Sequence, residues 1–328
     1  MRKRHFEGTG AEVSVLGVGC MGMSEFYGPR DEAEALATVH AALHRGVTLL
    51  DTADMYGYGA NEELLGRALR GRRSGVMIGT KFGIVRSRDP GVRTRRDGSP
   101  GYVRKACEAS LQRLGVEVID IYYLHRVDPK TPIEETVGAL AELVRAGKIR
   151  YVGLSEVLPS TLRRAHAIYP ISFVQTEYSL WSREPEAELI PTCRELGVGL
   201  VAYSPLGRGL LTGAIRSPDA LHVTDSRRGW PRFQEENLAR NLAQLRALES
   251  AAGRLGCSPA QLALGWVLNN PQVVALPGIS RRTHLEENLS SVTLEVPAGE
   301  FEQLADAFAT GAAAGDRYPP EVLKTLEG

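Results

Sequence analysis

Four polar side chains stand where short apolar runs end. Asp51 closes Val47-Thr48-Leu49-Leu50-Asp51, and Tyr56 lies just beyond it. Lys81 follows Val76-Met77-Ile78-Gly79-Thr80, and His125 follows Ile119-Asp120-Ile121-Tyr122-Tyr123-Leu124. A phenol with an ammonium, an imidazole and a carboxylate at hand can pass one proton to a carbonyl oxygen. A free tyrosine hydroxyl, with a pKa of about 10, donates poorly at neutral pH. A nearby ammonium stabilises the phenolate, and a carboxylate beside that ammonium keeps it charged and in place; Lys81 and Asp51 suit those roles. His125 can donate to the carbonyl oxygen or join the proton relay from the opposite side. Taken singly, Lys81 also reads as half of a structural ion pair and His125 as a satisfied, partly buried polar residue. Together at successive strand ends they point to a reductase.

Bringing four such residues to one place requires elements that end on a common face. Runs rich in Val, Ile, Leu and Tyr alternate with longer segments of helical period. His5-Phe6-Glu7 and Val13-Ser14-Val15 flank the turn Gly8-Thr9-Gly10 and read as a hairpin ahead of the repeating units. Strands are predicted at residues 47–50, 76–80, 119–124, 150–154, 172–176, 199–202 and 273–275. Helices are predicted at 30–45, 61–70, 102–114, 133–145, 161–168, 185–196, 259–268 and 284–289, with Gly147 as a left-handed cap. An eighth strand is expected after the long segment 206–233. Eight parallel strands, each followed by a helix, make a (β/α)8 TIM barrel, here with the N-terminal β-hairpin closing its base and residues 1–328 forming one domain. Its active site would lie at the C-terminal strand ends, where Asp51, Lys81, His125, Ser155, Gln175 and Tyr203 all fall. A doubly wound open sheet shows the same alternation and is the competing architecture.

The chain has 328 residues, 43% of them apolar, enough for one large barrel or two ordinary domains. Its 39 Lys and Arg balance its 39 Asp and Glu, so no net field draws it to nucleic acid or an anionic membrane. Cys20, Cys107, Cys193 and Cys257 are far apart and show no metal-binding spacing, which suggests buried free thiols in a reducing cytosol. The basic start Arg2-Lys3-Arg4 is followed by no long apolar run, and no stretch approaches the roughly 20 residues of a membrane span. A cytoplasmic protein acting on a small molecule is expected.

Gly17-Val18-Gly19-Cys20-Met21-Gly22 satisfies the G-x-G-x-x-G dinucleotide fingerprint. That fingerprint works when its glycines turn directly into a helix and an acidic residue ends the next strand about 20 positions on. Here Met23-Ser24-Glu25-Phe26-Tyr27-Gly28-Pro29 breaks the chain instead. A glycine-rich loop over a barrel mouth is the better account, with the backbone at Cys20 and Met21 close to a ligand.

The run Leu50-Asp51-Thr52-Ala53-Asp54-Met55-Tyr56-Gly57, with Asn61-Glu62-Glu63-Leu64-Leu65-Gly66 after it, resembles the signature of the aldo/keto reductases. Also similar to that family are Leu16–Ser24, Thr80-Lys81-Phe82-Gly83, Tyr123-Leu124-His125-Arg126, Gly153-Leu154-Ser155-Glu156 and Gln175-Thr176-Glu177-Tyr178-Ser179-Leu180. The run from Tyr203 to Gly213, Pro277-Gly278-Ile279-Ser280 and Leu285-Glu286-Glu287-Asn288-Leu289 extend the likeness across nearly the whole chain, toward the long-loop, NADP-dependent members.

The resemblance implies a (β/α)8 barrel that binds NADPH or NADP+ without a Rossmann fold. It implies a tetrad of Asp51, Tyr56, Lys81 and His125, with Tyr56 as the acid and hydride passing from the nicotinamide to a carbonyl carbon. By the same likeness Ser155 and Gln175 would hold the carboxamide, and Tyr203 would stack on the nicotinamide ring. Ser204, Pro205, Leu206 and Arg208, together with Gly278 and its neighbours, would hold the phosphates through backbone N–H groups and helix N-termini. Arg281, with Ser280 beside it, is the candidate for a 2′-phosphate. Glu287 and Asn288 match positions that contact adenine, whereas His284 departs from the Arg or Gln of many relatives. Arg227 resembles a residue that clamps the cofactor from a long lid-like segment. Met23, Tyr27, Trp181 and Trp230 would frame a small-molecule carbonyl substrate with an apolar, aromatic wall. The potassium-channel β subunits share the barrel, so a cofactor-sensing regulatory subunit is the second reading; the absence of an extended segment before the hairpin argues against a channel-inactivating role.

Overall fold

In the computed structural model, which describes residues 1–89 and 91–326, the chain opens with the expected hairpin. Strands β1 (Lys3–Phe6) and β2 (Ala11–Ser14) pair antiparallel, with Phe6 opposite Ala11. The amides of Thr9 and Gly10 both donate to the Phe6 carbonyl, and Gly10 takes the left-handed conformation (φ 66°) that this tight turn needs. The Phe6 ring meets that of Phe173 edge-on at 5.5 Å, so the hairpin plugs one end of the sheet interior.

The repeating units follow in order: β3 (Val18–Gly19), α1 (Glu32–His44), β4 (Leu49–Asp51), α2 (Ala60–Leu69) and β5 (Met77–Phe82). A small ribbon, β6 (Ile84–Val85) with β7 (Arg95–Arg96), precedes α3 (Pro100–Leu114). Then come β8 (Ile119–Leu124), α4 (Ile133–Arg145), β9 (Ile149–Ser155), α5 (Pro159–Ile168), β10 (Phe173–Glu177), α6 (Leu189–Glu195) and β11 (Gly199–Tyr203). The chain finishes with α7 (Glu235–Leu255), α8 (Pro259–Asn269), β12 (Val273–Leu276), α9 (Arg282–Ser290), α10 (Glu300–Ala307) and α11 (Pro320–Leu323).

Eight strands run parallel in the order β3-β4-β5-β8-β9-β10-β11-β12. Bridges from Leu16 to Ala275 and from Gly19 to Gly278 bring the last strand back to the first, completing a (β/α)8 barrel. The sequence expectation of the architecture holds, but the eighth strand is elsewhere. Segment 206–233 carries only short 3-10 turns and leads into helix α7, and the missing strand is β3, inside the glycine-rich run at the front. Two residues of strand are too short to show a β period, and their flanking glycines suggested a loop.

Side chains alternate across the strands. Leu49, Ile121, Tyr123, Phe173, Val201 and Val274 fill the interior with Phe6, while Leu50, Ile78, Tyr122, Val174, Leu200 and Ala275 face the helices. Gly153 makes room for this filling, because a Cβ there would collide with the Tyr123 ring. Gly147 takes the expected left-handed conformation (φ 71°) just past α4. The region predicted as one helix at 185–196 divides into a turn at Glu184–Glu186 and α6, with Glu188 outside helical geometry between them. Helix α7 lies outside the predicted set, although Leu238, Leu242, Leu245 and Leu248 recur at helical spacing. Among the described residues no helix is long and apolar enough to cross a membrane.

Candidate active site

Asp51 ends β4, and Lys81 stands one residue before the end of β5, so neighbouring parallel strands deliver a carboxylate and an ammonium to the same end of the barrel. The Lys81 ammonium donates to Asp51 Oδ1 and, at 2.8 Å, to the Thr52 carbonyl. From across the barrel Gln175 Nε2 donates to Asp51 Oδ2 at 2.8 Å. Lys81 is 1% and Asp51 4% exposed, and burial pushes the carboxyl up and the ammonium down. Their mutual attraction opposes both shifts.

After β4 the chain turns through Tyr56–Gly59, where Gly57, Tyr58 and Gly59 all have positive φ (58°, 57° and 94°). This tight turn accompanies Tyr56's return to its neighbours. The Lys81 Nζ lies 5.3 Å from the Tyr56 ring centroid, and the His125 ring meets it edge-on at 5.9 Å. Burial, then the Asp51 charge, lifts the Tyr56 phenol well above its ordinary pKa. That direction differs from a simple picture of an ammonium acidifying a phenol. Lys81 is already neutralised by Asp51, so desolvation dominates and the phenol keeps its proton. Burial, then Arg126 and Lys81, drives the His125 imidazole well below its ordinary pKa, and its Nδ1 has no hydrogen-bond partner among the described residues.

The other side of the mouth carries the remaining candidates. Ser155 ends β9, directly in register with Gln175, which lies mid-strand in β10 rather than at its end; Tyr203 ends β11. Glu156 and Ser204, immediately after two of these strands, have φ of 54° and 50°. Left-handed non-glycine residues cost about 1–3 kcal/mol and cluster where side chains must be aimed. Ser155 Oγ accepts from Arg126 Nη1 at 3.2 Å, and the hydroxyls of Tyr203 and Tyr318 are 2.9 Å apart.

Pro205 and Leu206 follow Ser204 into the turn Gly207–Thr212. There the Arg208 side chain forks onto Glu177 (2.9 and 2.5 Å), with the Trp230 and Tyr318 rings 4.9 and 4.4 Å away. The Arg208 side chain is thereby committed to Glu177. Cys20 donates its amide to the Asp51 carbonyl at 2.9 Å, Met21–Met23 forms a 3-10 turn with Met23 buried, and Gly278 bridges Gly19. Arg281 and His284 are exposed at the start of α9, and among the described residues neither is ion-paired; Ser280 before them is half-buried. Glu287 accepts from Ser258 Oγ at 2.7 Å, and Asn288 is buried.

The long segment meets the front loop over the mouth. Tyr27 bridges Asp225, and the amide of Ser226 donates to the Phe26 carbonyl at 2.9 Å. Arg227 forks onto Asp225 (3.0 and 2.6 Å), donates to the Arg208 carbonyl at 2.7 Å, and lies 4.5 Å from the Tyr27 ring centroid. Trp230 packs against Tyr318. Trp181 is placed apart: buried against Phe308, it donates to Gln244 Oε1 at 2.6 Å and makes no ring contact with Tyr56. Sequence reasoning missed a group that the fold assembles here. Glu156 pairs with Arg317, and Glu177 with Arg208, Arg232 and Arg317. Glu177 and Arg208 stood inside recognisable motifs, but Arg317 and Tyr318 lie beyond the last of them. A cavity of about 730 Å³ opens beside this network, lined by Leu158, Trp181, Leu189 and Arg317 among others, and none of the Asp51 quartet lines it.

The model of the aldo/keto reductase family matches residues 15–308, which include all four members of the quartet. The chain belongs to the aldo/keto reductase family. It is similar to the glycerol dehydrogenase AKR11B4 from Gluconobacter oxydans, at 30% identity over 97% of this chain and 98% of that one, with a TM-score of 0.83. Against the aldo-keto reductase AKR11C1 from Bacillus halodurans, in its holo form, the identity is 29% over 96% and 98% of the two chains, with a TM-score of 0.78. A thermostable aldo-keto reductase, Tm1743, in complex with the inhibitor epalrestat, is 32% identical over 94% of this chain and 100% of that one, with a TM-score of 0.75. As an aldo/keto reductase the protein is an oxidoreductase of a family that acts on small-molecule carbonyl compounds with nicotinamide cofactors.

Proposed function

We propose that the protein reduces an aldehyde or ketone to the alcohol with NADPH, with Tyr56 as the proton donor. The observation that carries this reading is a buried phenol kept protonated between the Lys81–Asp51 pair and the neutral ring of His125. A group that must give up a proton only as negative charge develops on a carbonyl oxygen needs that environment.

The residues present fit a nicotinamide dinucleotide. Ser155 and Gln175 stand side by side in register and offer the donors and acceptors an amide requires, and Tyr203, on the next strand, offers a flat ring. A Cβ on Gly278 would meet nothing within 4 Å, so the backbone there can be approached closely. The start of α9 presents N–H groups and the unpaired guanidinium of Arg281, suited to a 2′-phosphate. When bound, the cofactor supplies the hydride taken up by the carbonyl carbon. Tyr56 gives its proton to the carbonyl oxygen, which completes the alcohol. Lys81, anchored by Asp51 and the Thr52 carbonyl, stabilises the phenolate left behind, and His125 orients the oxygen through a ring N–H.

Turnover tests the reading directly. Incubation with NADPH and a panel of aldehydes, ketones and diketones is expected to consume the reduced cofactor over many cycles, faster than with NADH. Arg281→Ala should narrow that cofactor preference by roughly tenfold or more. Binding of NADPH without turnover of any carbonyl would sink the proposal.

A further inference from the structure

One cation in the site has no acid of its own. Arg126 follows His125 directly, is 7% exposed, and uses only Nη1, which donates to the His125 carbonyl at 2.6 Å and to Ser155 Oγ at 3.2 Å. Among the described residues no carboxylate forms an ion pair with it, and Nε and Nη2 have no hydrogen-bond partner. Neither nitrogen is among the polar atoms sealed from solvent without a partner, so both keep some access to solvent, and the guanidinium lies within the field of Tyr56 and His125. The neighbouring buried cations are all paired: Lys81 with Asp51, and Arg208 and Arg232 with Glu177. Glu156 lies within the field of Arg126 but is held by both Nη atoms of Arg317. The other groups that feel the guanidinium include the phenols of Tyr56 and Tyr203, which burial keeps protonated and therefore uncharged. A buried guanidinium left in this state favours an anion from outside.

Nε and Nη2 form the side-on fork of a guanidinium, the geometry that takes both oxygens of a carboxylate. The fork belongs to the residue next to His125, which faces Tyr56, so a carboxylate bound there sits close to a carbonyl bound at Tyr56. We propose that Arg126 receives a carboxylate of the substrate, and that the preferred substrates are carbonyl acids, above all 2-oxo acids. This deepens the reductase reading, on which it rests. The reaction balances as before: hydride to the carbonyl carbon, the Tyr56 proton to its oxygen, and the carboxylate unchanged.

The test compares phenylglyoxylate with its uncharged methyl ester as substrates of the wild type, Arg126→Met and Arg126→Lys. The wild type should favour the acid in kcat/KM by about tenfold or more, and that ratio should collapse by a similar factor in Arg126→Met through a higher KM for the acid. Arg126→Lys, which keeps the charge but loses the fork, should recover part of it. An ester used as well as the acid by the wild type, or a ratio unchanged in Arg126→Met, would overturn the proposal. If no carbonyl is reduced at all, the reductase reading fails, and calorimetric titration of phenylglyoxylate into the NADP+-loaded protein decides this one separately. Saturable binding that is lost in Arg126→Met upholds the anion site, and absent or unaltered binding removes it.

Discussion

Lys81 and Asp51, on the β4–β5 side of the mouth, and Glu156, Glu177, Arg208 and Arg232 of the network on the β9–β11 side are withdrawn from water, while Arg317 closes the network from a half-buried position. They treat their polar atoms differently. In the network Glu177 is shared among three guanidiniums and Glu156 takes both Nη atoms of Arg317, so that Glu177 joins the C-terminal segment at Arg317 to strand β10 and to the turn after β11. Around the quartet, satisfaction stops short: among the described residues His125 Nδ1 has no partner, and the Arg126 fork is open. Completed pairing builds structure, because every added bond restricts movement. Incomplete pairing leaves free energy to be gained by a ligand, and such sites are where function is expected.

The largest expected effect breaks the quartet. Tyr56→Phe should lower kcat by about 10³-fold, within the range of a lost general acid, while fluorescence titration shows NADPH affinity retained. A rate near that of the wild type would show that Tyr56 is not the donor. Next is the network. Glu177→Gln leaves Arg208 and Arg232 buried without their carboxylate and should lower the unfolding free energy by about 3 kcal/mol in urea titrations. A change within error would deny the network its structural role.

The two clusters should also part company with pH. The folded chain keeps His125 neutral, whereas the unfolded chain takes up a proton as pH falls past about 6.5. Stability present at neutral pH is therefore lost progressively below that value, and His125→Gln should flatten this slope. Glu156, held down to about 2 by Arg317 and Arg126 against the cost of burial, contributes stability that persists until pH drops below its unfolded value of 4.5. Urea midpoints measured from about pH 7.5 to about 4 separate the two phases, and a single phase confined to the acid end would deny His125 its depressed pKa. The smallest effect is expected from Tyr318→Phe. It removes only the hydroxyl contact with Tyr203 and should change stability by about 1 kcal/mol or less, read from thermal midpoints.

The same contrast explains what could be read from sequence. Asp51, Lys81 and His125 end or follow apolar runs long enough to register as strands, and parallel pairing then places them on one face of necessity. Tyr56 needed only short-range geometry, a turn rich in glycine. The network depends on Arg317 meeting Glu156, a contact 161 residues apart that follows from no local period. Trp181 shows how long-range packing sets a side chain's place: it stands beside a strand end, and Phe308 and Gln244, far along the chain, hold it against the cavity it lines. Arg126 was visible only as the neighbour of His125, because the lack of a counter-ion is a property of the folded site.

The join between β3 and β12 makes the order of synthesis matter. Gly17 and Gly19 donate to Ala275 and Pro277, and the Arg4 side chain reaches the Val273 carbonyl, 269 residues away in the chain. A ribosome therefore releases the opening strand long before its partner exists, and the growing chain carries an unpaired strand edge for most of its translation. Such an edge invites pairing with another chain. A polypeptide stopped just short of Val273 would hold Asp51, Tyr56, Lys81 and His125 and still be an open-edged, aggregation-prone intermediate, so strand β12 and the helices after it are what close the barrel around a site that the earlier chain already carries.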